Sequence, residues 1–267
     1  MTGTRRVAPS ARRARLASIA VLAALCAASP DAPAWSEDFA SGRLDPARWQ
    51  RTLEGDFRAH AAEVVATASG AGFRLRLAAD TRGTRDDTVK HVGVGSRCAI
   101  ALGPGARMRV RLDWGPPANA SYLAAAVVLS PHRTTGDPGT TADWLSIGYV
   151  GVPPGRHARL LVAARVNGVV RTLFDEGWPR ANRQGRPIGR SELEVAWREA
   201  SLEIREGGRL VHTAAAADAP FGSAHVYLQL ASHSNFPERA VHFEDLRFEP
   251  SGGPAPGKGF PAAPECG

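Results

Sequence analysis

Several residue patterns that define other protein classes are absent from this chain of 267 residues. It has three cysteines, Cys26, Cys98 and Cys266, without a Cys-x-x-Cys pair or a cluster of Cys and His, so a structural zinc site is not indicated. No segment shows a sustained apolar period of about 3.6 residues, so no helix of ordinary length is predicted. The apolar run Leu16–Ala28 is too short to cross a bilayer, and an integral membrane span is not expected.

A basic surface of the kind that binds nucleic acid is also missing. The formal net charge of the whole chain is +7. Five arginines and one aspartate lie in residues 1–34, so the remainder carries 28 basic and 25 acidic residues, a net charge of +3. No block of consecutive Lys or Arg occurs in that remainder, and we therefore expect no nucleic-acid partner.

The N-terminus has the layout of a secretory signal peptide. A basic region ends at Arg15, the apolar run follows, and Ala32-Pro33-Ala34 offers an A-x-A cleavage site before Trp35. Residues 1–34 are therefore predicted to be removed, which places the mature protein in the periplasm or the medium. Lipoprotein anchoring at Cys26 is an alternative, but Leu25 stands where that signal needs a small residue.

Cleavage would leave Cys98 and Cys266. Export makes a disulfide between them permissible, although their spacing does not establish one. Cys266 lies in residues 251–267, which are rich in Pro and Gly and are predicted to form a flexible tail.

The region between these two ends predicts many short strands. A first short strand is expected to begin at Asp38-Phe39, and Asn167-Gly168 and Gly207-Gly208 are hairpin turn signals, because both central residues of a type I′ turn have positive φ. The other strand candidates are residues 63–68, 72–78, 89–97, 107–114, 122–130, 144–150, 159–166, 169–174, 192–198, 201–205, 209–212, 224–231 and 241–248. Residues 35–250 are therefore predicted to form one all-β domain, a two-sheet antiparallel sandwich or jelly roll.

Strand alternation separates an apolar face from a polar one on several of these strands. Trp144 and Ser146 lie opposite Leu145 and Ile147, Arg165 lies opposite Ala164, and Tyr227 and Gln229 lie opposite Val226 and Leu228, with His233 in the loop that follows. If these strands share one sheet, the polar faces combine aromatic rings, a guanidinium, an amide and a hydroxyl. That mixture suits a sugar, although an ordinary solvated sheet face would have the same residue pattern.

Four stretches carry a resemblance to a known superfamily. They are EDFASGRLDPARW at residues 37–49, DWLSIGYVG at 143–151, ELEVAWREASLEIREGGRLVHT at 192–213 and VYLQLASHSNFPERAVHFEDLRF at 226–248. Over Trp35–Pro250 the chain resembles the concanavalin A-like lectin/glucanase superfamily, whose members include lectins, carbohydrate-binding modules, laminarinase-type hydrolases and alginate-lyase-like enzymes. The resemblance implies the same sandwich and a polysaccharide as partner.

The catalytic pattern of the laminarinase-type hydrolases is missing. Those enzymes carry E-x-D-x-x-E or E-x-D-x-E on one strand, which places the carboxylates on one face as a retaining mechanism requires. The nearest stretch here is Glu192-Leu193-Glu194, which is better explained as a solvated charged strand face. A lyase that uses Tyr227, Gln229, His233 and Arg165 stays open as an alternative.

The resemblance also implies a structural calcium ion between the first and last strands. Carried over to this chain, its ligands would be Asp245 with Asp38 or Glu37, because calcium prefers carboxylate and carbonyl oxygens. The competing interpretation is that Asp245 pairs with Arg247.

The sequence is best explained as that of an exported sandwich protein that binds polysaccharide without a recognised catalytic pair. Trp144, Ser146, Arg165, Tyr227, Gln229 and His233 are the candidate binding residues. A polysaccharide hydrolase or lyase, and a structural protein of the cell envelope without a sugar site, are the alternatives.

Overall fold

A computed structural model of the chain describes residues 35–84, 88–113, 121–152, 157–177, 186–187 and 189–250. The predicted signal peptide and the predicted tail lie outside these ranges and stay predictions. Within the described ranges, regular structure consists of strands and two short 3-10 helices, Pro138–Thr140 and Ala216–Asp218. No helix of this part of the chain has the length and apolar character needed to cross a membrane.

The strands fall into two antiparallel sheets. They are β1 (Trp35–Glu37), β2 (Trp49–Glu54), β3 (Ala59–Ala66), β4 (Phe73–Asp80), β5 (Lys90–Ser96), β6 (Ile100–Ala101), β7 (Arg107–Asp113), β8 (Leu123–Ser130), β9 (Trp144–Val152), β10 (His157–Val166), β11 (Val169–Asp175), β12 (Arg186–Pro187), β13 (Arg190–Trp197), β14 (Ser201–Glu206), β15 (Arg209–Ala215), β16 (Ser223–Ser232) and β17 (Arg239–Glu249).

The eight-stranded sheet has the order β15-β14-β13-β7-β17-β4-β3, with β1 paired to β17. The nine-stranded sheet has the order β11-β10-β9-β8-β16-β5-β2, with β12 paired to β10 and β6 to β16. Strands that are distant in sequence are therefore neighbours in both sheets. This arrangement confirms the predicted two-sheet antiparallel jelly roll.

The core lies between the two sheets and follows from strand alternation. On β9, Leu145 and Ile147 are fully buried, as are Val226 and Leu228 on β16. Each such aliphatic side chain stabilises the fold by roughly 1.5–3 kcal/mol relative to an exposed one. Because alternate residues face the core, the residues between them must face outward, and these outward positions are the candidates for function.

Both predicted hairpin turns are confirmed. Asn167 and Gly168 have φ values of 50° and 80° and join β10 to β11, and Gly207 and Gly208 have φ values of 53° and 78° and join β14 to β15. Two consecutive residues of positive φ match the right-handed twist of the flanking strands.

The N-terminal part of the sandwich differs from the prediction. The first strand is Trp35–Glu37 and does not begin at Asp38-Phe39, because Phe39 has a φ of 57° and leaves the strand, with its N–H donating to the Glu37 carboxylate. The strand Trp49–Glu54 was not predicted. Arg51 lies on the same side of that strand as the buried Trp49. A charged residue on the apolar side breaks the alternation of apolar and polar residues by which a strand is recognised in a sequence.

Cys98 is disulfide-bonded. The other cysteines of the chain, Cys26 and Cys266, lie outside the described residues. The pairing of Cys98 with Cys266 therefore stays a prediction.

Candidate functional site

The outer face of the nine-stranded sheet holds five of the six predicted binding residues. Trp144 and Ser146 belong to β9, Arg165 to β10, and Tyr227 and Gln229 to β16. These strands belong to one sheet, as the prediction required, and the two strands between β10 and β16 in that sheet are β9 and β8. The side chains lie opposite the core residues of the same strands and therefore share one face.

Trp144 and Tyr227 form a small apolar cluster with Val128 on this face. Tyr227 is fully buried and Trp144 is 9% exposed. The Tyr227 ring lies directly over Gly95 of β5, where a Cβ atom would come within 2.5 Å of the ring. Gly95 is therefore the residue that lets the tyrosine lie flat against the sheet.

Residues 131–143, which we call the covering loop, lie over this apolar cluster. The Tyr227 hydroxyl donates to the His132 carbonyl at 2.8 Å and accepts from the Thr134 N–H at 2.9 Å. The Trp144 indole N–H donates to the Gly139 carbonyl at 2.9 Å. Burial raises the pKa of Tyr227, so its hydroxyl keeps the proton that it donates to the loop.

Arg165 holds the same loop from the side of β10. Its Nη1 lies 3.2 Å from the Thr140 carbonyl and 3.0 Å from the Thr141 carbonyl, and its Nε donates to the Gly168 carbonyl at 3.0 Å. A guanidinium presents several donors in one plane, which suits a row of carbonyl oxygens. The guanidinium of Arg165 therefore donates its hydrogen bonds to backbone carbonyls of the protein itself.

A cluster of polar groups, which we call the Asp137 cluster, lies where the covering loop meets β16, β5 and β2. Gln229 Nε2 is 2.7 Å from Asp137 Oδ1 and 2.8 Å from His91 Nδ1, and His91 Nε2 is 3.4 Å from Asp137 Oδ2. Glu54 accepts from the Asp137 N–H at 2.8 Å. Burial lowers the pKa of His91, while the carboxylates of Asp137 and Glu54 oppose that shift.

Asp137, His91 and Glu54 were missed by the sequence analysis. Asp137 lies in a loop with no strand period, and His91 and Glu54 belong to strands whose pairing partners are distant in sequence. One local signal for Asp137 exists, because an Asp directly before Pro-Gly is a turn and helix-cap pattern. That signal predicts the turn and says nothing of the histidine.

Beside the covering loop, the outer face carries several short side chains, together with the larger Val150 of β9 and Leu161 of β10. The short side chains are partly exposed, and we call them the small-residue strip: Ala231 of β16, Ala124 and Ala126 of β8, Ser146 of β9 and Ala163 of β10. With strands about 4.8 Å apart, the strip crosses four strands over roughly 14 Å. Gly148 keeps it level, because a Cβ atom there would lie 2.7 Å from the Ala126 Cβ.

His233 is the predicted residue that the structure does not bring to the covering loop. It lies six residues beyond Tyr227, roughly 20 Å along an extended chain, in the loop between β16 and β17. The His233 ring packs edge-on against Tyr122, with 5.5 Å between the ring centroids. Tyr122 is 44% exposed and has a φ of 56°, a conformation that is rare for an aromatic residue. The small-residue strip therefore runs between the covering loop and an aromatic pair.

The acidic pair Glu192 and Glu194 lies on β13 of the other sheet. Glu192 is 3.2 Å from Arg111, and Glu194 is 2.6 Å from Arg109 and 3.4 Å from Arg107. These ion pairs agree with the interpretation of this strand face as charged, but Glu194 is buried among its arginines, with 9% exposure, so the face is only partly solvated. The pair is remote from the small-residue strip because it belongs to the opposite sheet.

The two aspartates predicted to hold calcium have other partners. Asp245 accepts from Arg247 at 2.6 Å and lies 3.2 Å from Arg111, and Asp38 accepts from the Ala40 N–H at 2.9 Å. Among the described residues, no group of three or more His, Cys, Asp or Glu side chains is placed to hold a metal ion. A donor set neutralised by two arginines fits calcium poorly, and the structural calcium stays a prediction.

The two-sheet jelly roll described above is the concanavalin A-like fold. No protein-family model and no curated protein sequence matches the chain.

Several solved structures with the same fold are named as glucanases or come from work on glycanases. A beta-glucanase from Bacillus licheniformis is 15% identical with a TM-score of 0.50, covering 82% of this chain and 99% of its own. A structure from a report on endo-acting O-glycanases of human gut bacteria is 14% identical with a TM-score of 0.55, covering 80% and 98%. The catalytic domain of an endo-1,3-beta-glucanase from Thermotoga petrophila is 14% identical with a TM-score of 0.52, covering 80% and 95%. Likeness at these identities establishes the fold alone.

Proposed function

We propose that this chain is an exported protein that binds polysaccharide on the outer face of its nine-stranded sheet. The observation that carries the proposal is the small-residue strip. Its short side chains leave room for a ligand over several strands, and polar and aromatic groups stand at its borders. A sugar ring offers an apolar face of C–H groups and a rim of hydroxyls, and this combination of surfaces accommodates both.

The borders of the strip differ in chemistry. The Asp137 cluster offers carboxylate and imidazole groups to sugar hydroxyls, and the exposed ring of Tyr122 beside His233 offers a stacking surface. In this proposal Trp144, Arg165 and Tyr227 do not contact the sugar. Their side chains hold the covering loop that borders the strip. The glycan-active enzymes of the same fold support a carbohydrate ligand by analogy, which alone does not fix function.

The proposal is tested by filling the strip. Purified mature protein is screened on an array of polysaccharides that includes laminarin, lichenan and mucin glycans, and the tightest ligand is titrated by calorimetry. Ser146→Trp places a large ring on the strip, and we expect it to weaken binding at least tenfold. Ser201→Trp is the matched control, because Ser201 is also partly exposed but belongs to the other sheet.

Equal affinities in Ser146→Trp and Ser201→Trp, with both proteins folded by circular dichroism, would place the binding surface elsewhere. Absence of binding to every polysaccharide on the array would overturn the proposal as a whole.

A polysaccharide hydrolase or lyase is the second candidate, and the Asp137 cluster is the observation that favours it. A carboxylate and a neutral imidazole beside a binding surface are the groups that general acid and base catalysis uses. The same polysaccharides are assayed for new reducing ends and for unsaturated products. Turnover that Asp137→Asn abolishes while binding persists would establish an enzyme, and binding without turnover of any polymer would leave the binding protein.

A further inference from the structure

The outer face of the nine-stranded sheet continues beyond the small-residue strip onto the next two strands. Ala231, at the end of the strip, pairs with His91 of β5, and His91 pairs with Glu54 of β2. Residues that oppose each other on antiparallel strands lie on the same face, so these three form one row across the sheet. With strands about 4.8 Å apart, Glu54 lies roughly 10 Å beyond Ala231. A linear ligand that crosses the strip therefore reaches Glu54 if it continues in the same direction.

Two carboxylates meet at the far end of this row. Glu54 is exposed, and Asp137 of the covering loop lies beside His91, with 3.4 Å between Asp137 Oδ2 and His91 Nε2. Glu54 Oε2 accepts from the Asp137 N–H at 2.8 Å, which holds the two acidic residues together. We call Glu54 and Asp137 the acidic corner.

The acidic corner is not neutralised by a basic side chain. In the ranges that the structure describes, no lysine or arginine forms an ion pair with Glu54 or with Asp137. Lys90, which precedes His91 on β5, places its ammonium 3.4 Å from the Asp56 carboxylate. The corner therefore keeps its own charge for a ligand.

The imidazole of His91 does not supply the missing positive charge either. Burial lowers the pKa of His91 below its ordinary value of 6.5, although the charges that act on it, the carboxylates of Asp137 and Glu54, oppose the shift. The ring is therefore mainly neutral near neutral pH, and two negative charges stand at one end of the outer face.

We propose that the polysaccharide bound on the small-residue strip carries protonated amino groups, as a polymer of N-deacetylated amino sugars does, and that one ammonium lies at the acidic corner. The inference rests on the proposed polysaccharide site and names its class of ligand. Glu54 is the direct partner because it is exposed, and Asp137, whose side chain is 14% exposed, adds a second charge close by.

An ammonium matches this corner in both charge and hydrogen bonding. It offers three donors and no acceptor, whereas a carboxylate only accepts, and hydrogen bonds between charged groups are roughly twice as strong as neutral ones. Polysaccharides that carry carboxylate or sulfate groups are disfavoured at the same place, because like charges repel each other. The acidic corner therefore selects among polysaccharides by charge.

The test compares two forms of one oligosaccharide, a glucosamine oligomer and the same oligomer fully N-acetylated. Binding to the full mature protein is measured by calorimetry at a mildly acidic pH, where the amine is protonated and ordinary carboxylates are ionised. We expect the amine form to bind more tightly by about tenfold or more. Added salt should weaken binding of the amine form and not of the acetylated form.

The double variant Glu54→Gln/Asp137→Asn removes both charges and keeps an acceptor oxygen at each position. We expect it to abolish the preference for the amine form and the dependence on salt. Glu192→Gln is the matched control, because it removes one carboxylate from the other sheet, and it should keep both properties. Circular dichroism and the melting temperature confirm that each variant is folded.

Several results would overturn the inference. Equal affinities of the two forms in the unaltered protein, or tighter binding of the acetylated form, would do so and would leave the proposed polysaccharide site in place. A preference that survives in the double variant would place the ammonium elsewhere. Binding of an uncharged or acidic polysaccharide without binding of the glucosamine oligomer would also overturn the inference alone. If no polysaccharide binds at all, the proposed function fails together with it.

Discussion

At the scale of single residues, Tyr227 illustrates how a polar side chain on an outward strand position can hold a loop in place. Its ring fills the space above Gly95, and its hydroxyl holds two backbone groups of the covering loop. A polar side chain on an outward strand position therefore need not be a surface residue. What decides its role is whether another segment covers it.

Tyr227→Phe keeps the ring and removes the hydroxyl, and we expect it to lower the free energy of unfolding by about 1–3 kcal/mol. The Thr134 N–H would lose its acceptor and the His132 carbonyl its donor. Urea denaturation measures the change, which should appear as a lower midpoint with an unchanged slope. A midpoint equal to that of the unaltered protein would contradict the assigned contacts.

His242 makes the stability of the fold depend on pH. The side chain is buried on β17, and burial, reinforced by Arg74, holds its pKa below the ordinary value of 6.5, although Asp113 acts in the opposite direction. In the unfolded chain this histidine regains its ordinary pKa. Between the two pKa values the unfolded state therefore binds more protons, and the fold loses stability as the pH falls below about 6.5.

The measurement is the melting temperature of the unaltered protein and of His242→Asn between about pH 8 and about pH 5, a range that brackets the ordinary histidine pKa of about 6.5. The variant should lose less stability on acidification than the unaltered protein does. Parallel curves for the two proteins would show that His242 does not contribute.

At the scale of elements, the covering loop is the least regular part of the site and depends on a few contacts. Asp137 accepts from the Gly139 N–H at 2.8 Å, which caps the short 3-10 helix, and from Gln229 at 2.7 Å. Loops of this kind open locally when such contacts are lost, while the sheets beneath them stay folded.

Asp137→Ala should therefore loosen the covering loop and leave the sheets intact. We expect amide hydrogen exchange in residues 131–143 to accelerate at least tenfold, with protection in β8 and β16 unchanged. Asp245→Ala on the other sheet serves as the control, because its carboxylate contacts Arg247 and Arg111 and not the loop. Acceleration spread evenly over all strands would indicate global destabilisation and would contradict a local role.

The same elements show how far sequence reasoning reaches. Strands such as β9 and β16 were predictable because alternation is a local property, and so were the two hairpin turns. The covering loop was not, since the bond between Gln229 and Asp137 joins residues 92 positions apart. No local pattern records such a contact. Five of the six predicted binding residues therefore share one face of one sheet, while His233 lies in the loop after β16 and the loop that buries Tyr227 was not foreseen.

At the scale of the whole molecule, β17 joins the parts of the eight-stranded sheet. It lies between β7 and β4 and also pairs with β1. Without it, those strands lose their common neighbour, and Val241 and Phe243 leave the core. We expect a chain that ends at residue 238 to fail to fold, whereas a chain that ends at residue 250 keeps the sandwich. Circular dichroism and cooperative thermal unfolding of the two truncated proteins check this, and a cooperative transition in the shorter protein would contradict it.

The central positions of β16 and β17 also determine when the two sheets can be completed during synthesis. Because β16 lies between β8 and β5, neither sheet is complete until the last described strands have been made. At about 5–20 residues per second, a ribosome needs several seconds to go from β15 to the end of β17. Throughout that interval the nascent chain presents open strand edges and exposed apolar faces. The order of the strands thus delays completion of the fold until synthesis is nearly over, and until then the polypeptide needs chaperones that shield such edges.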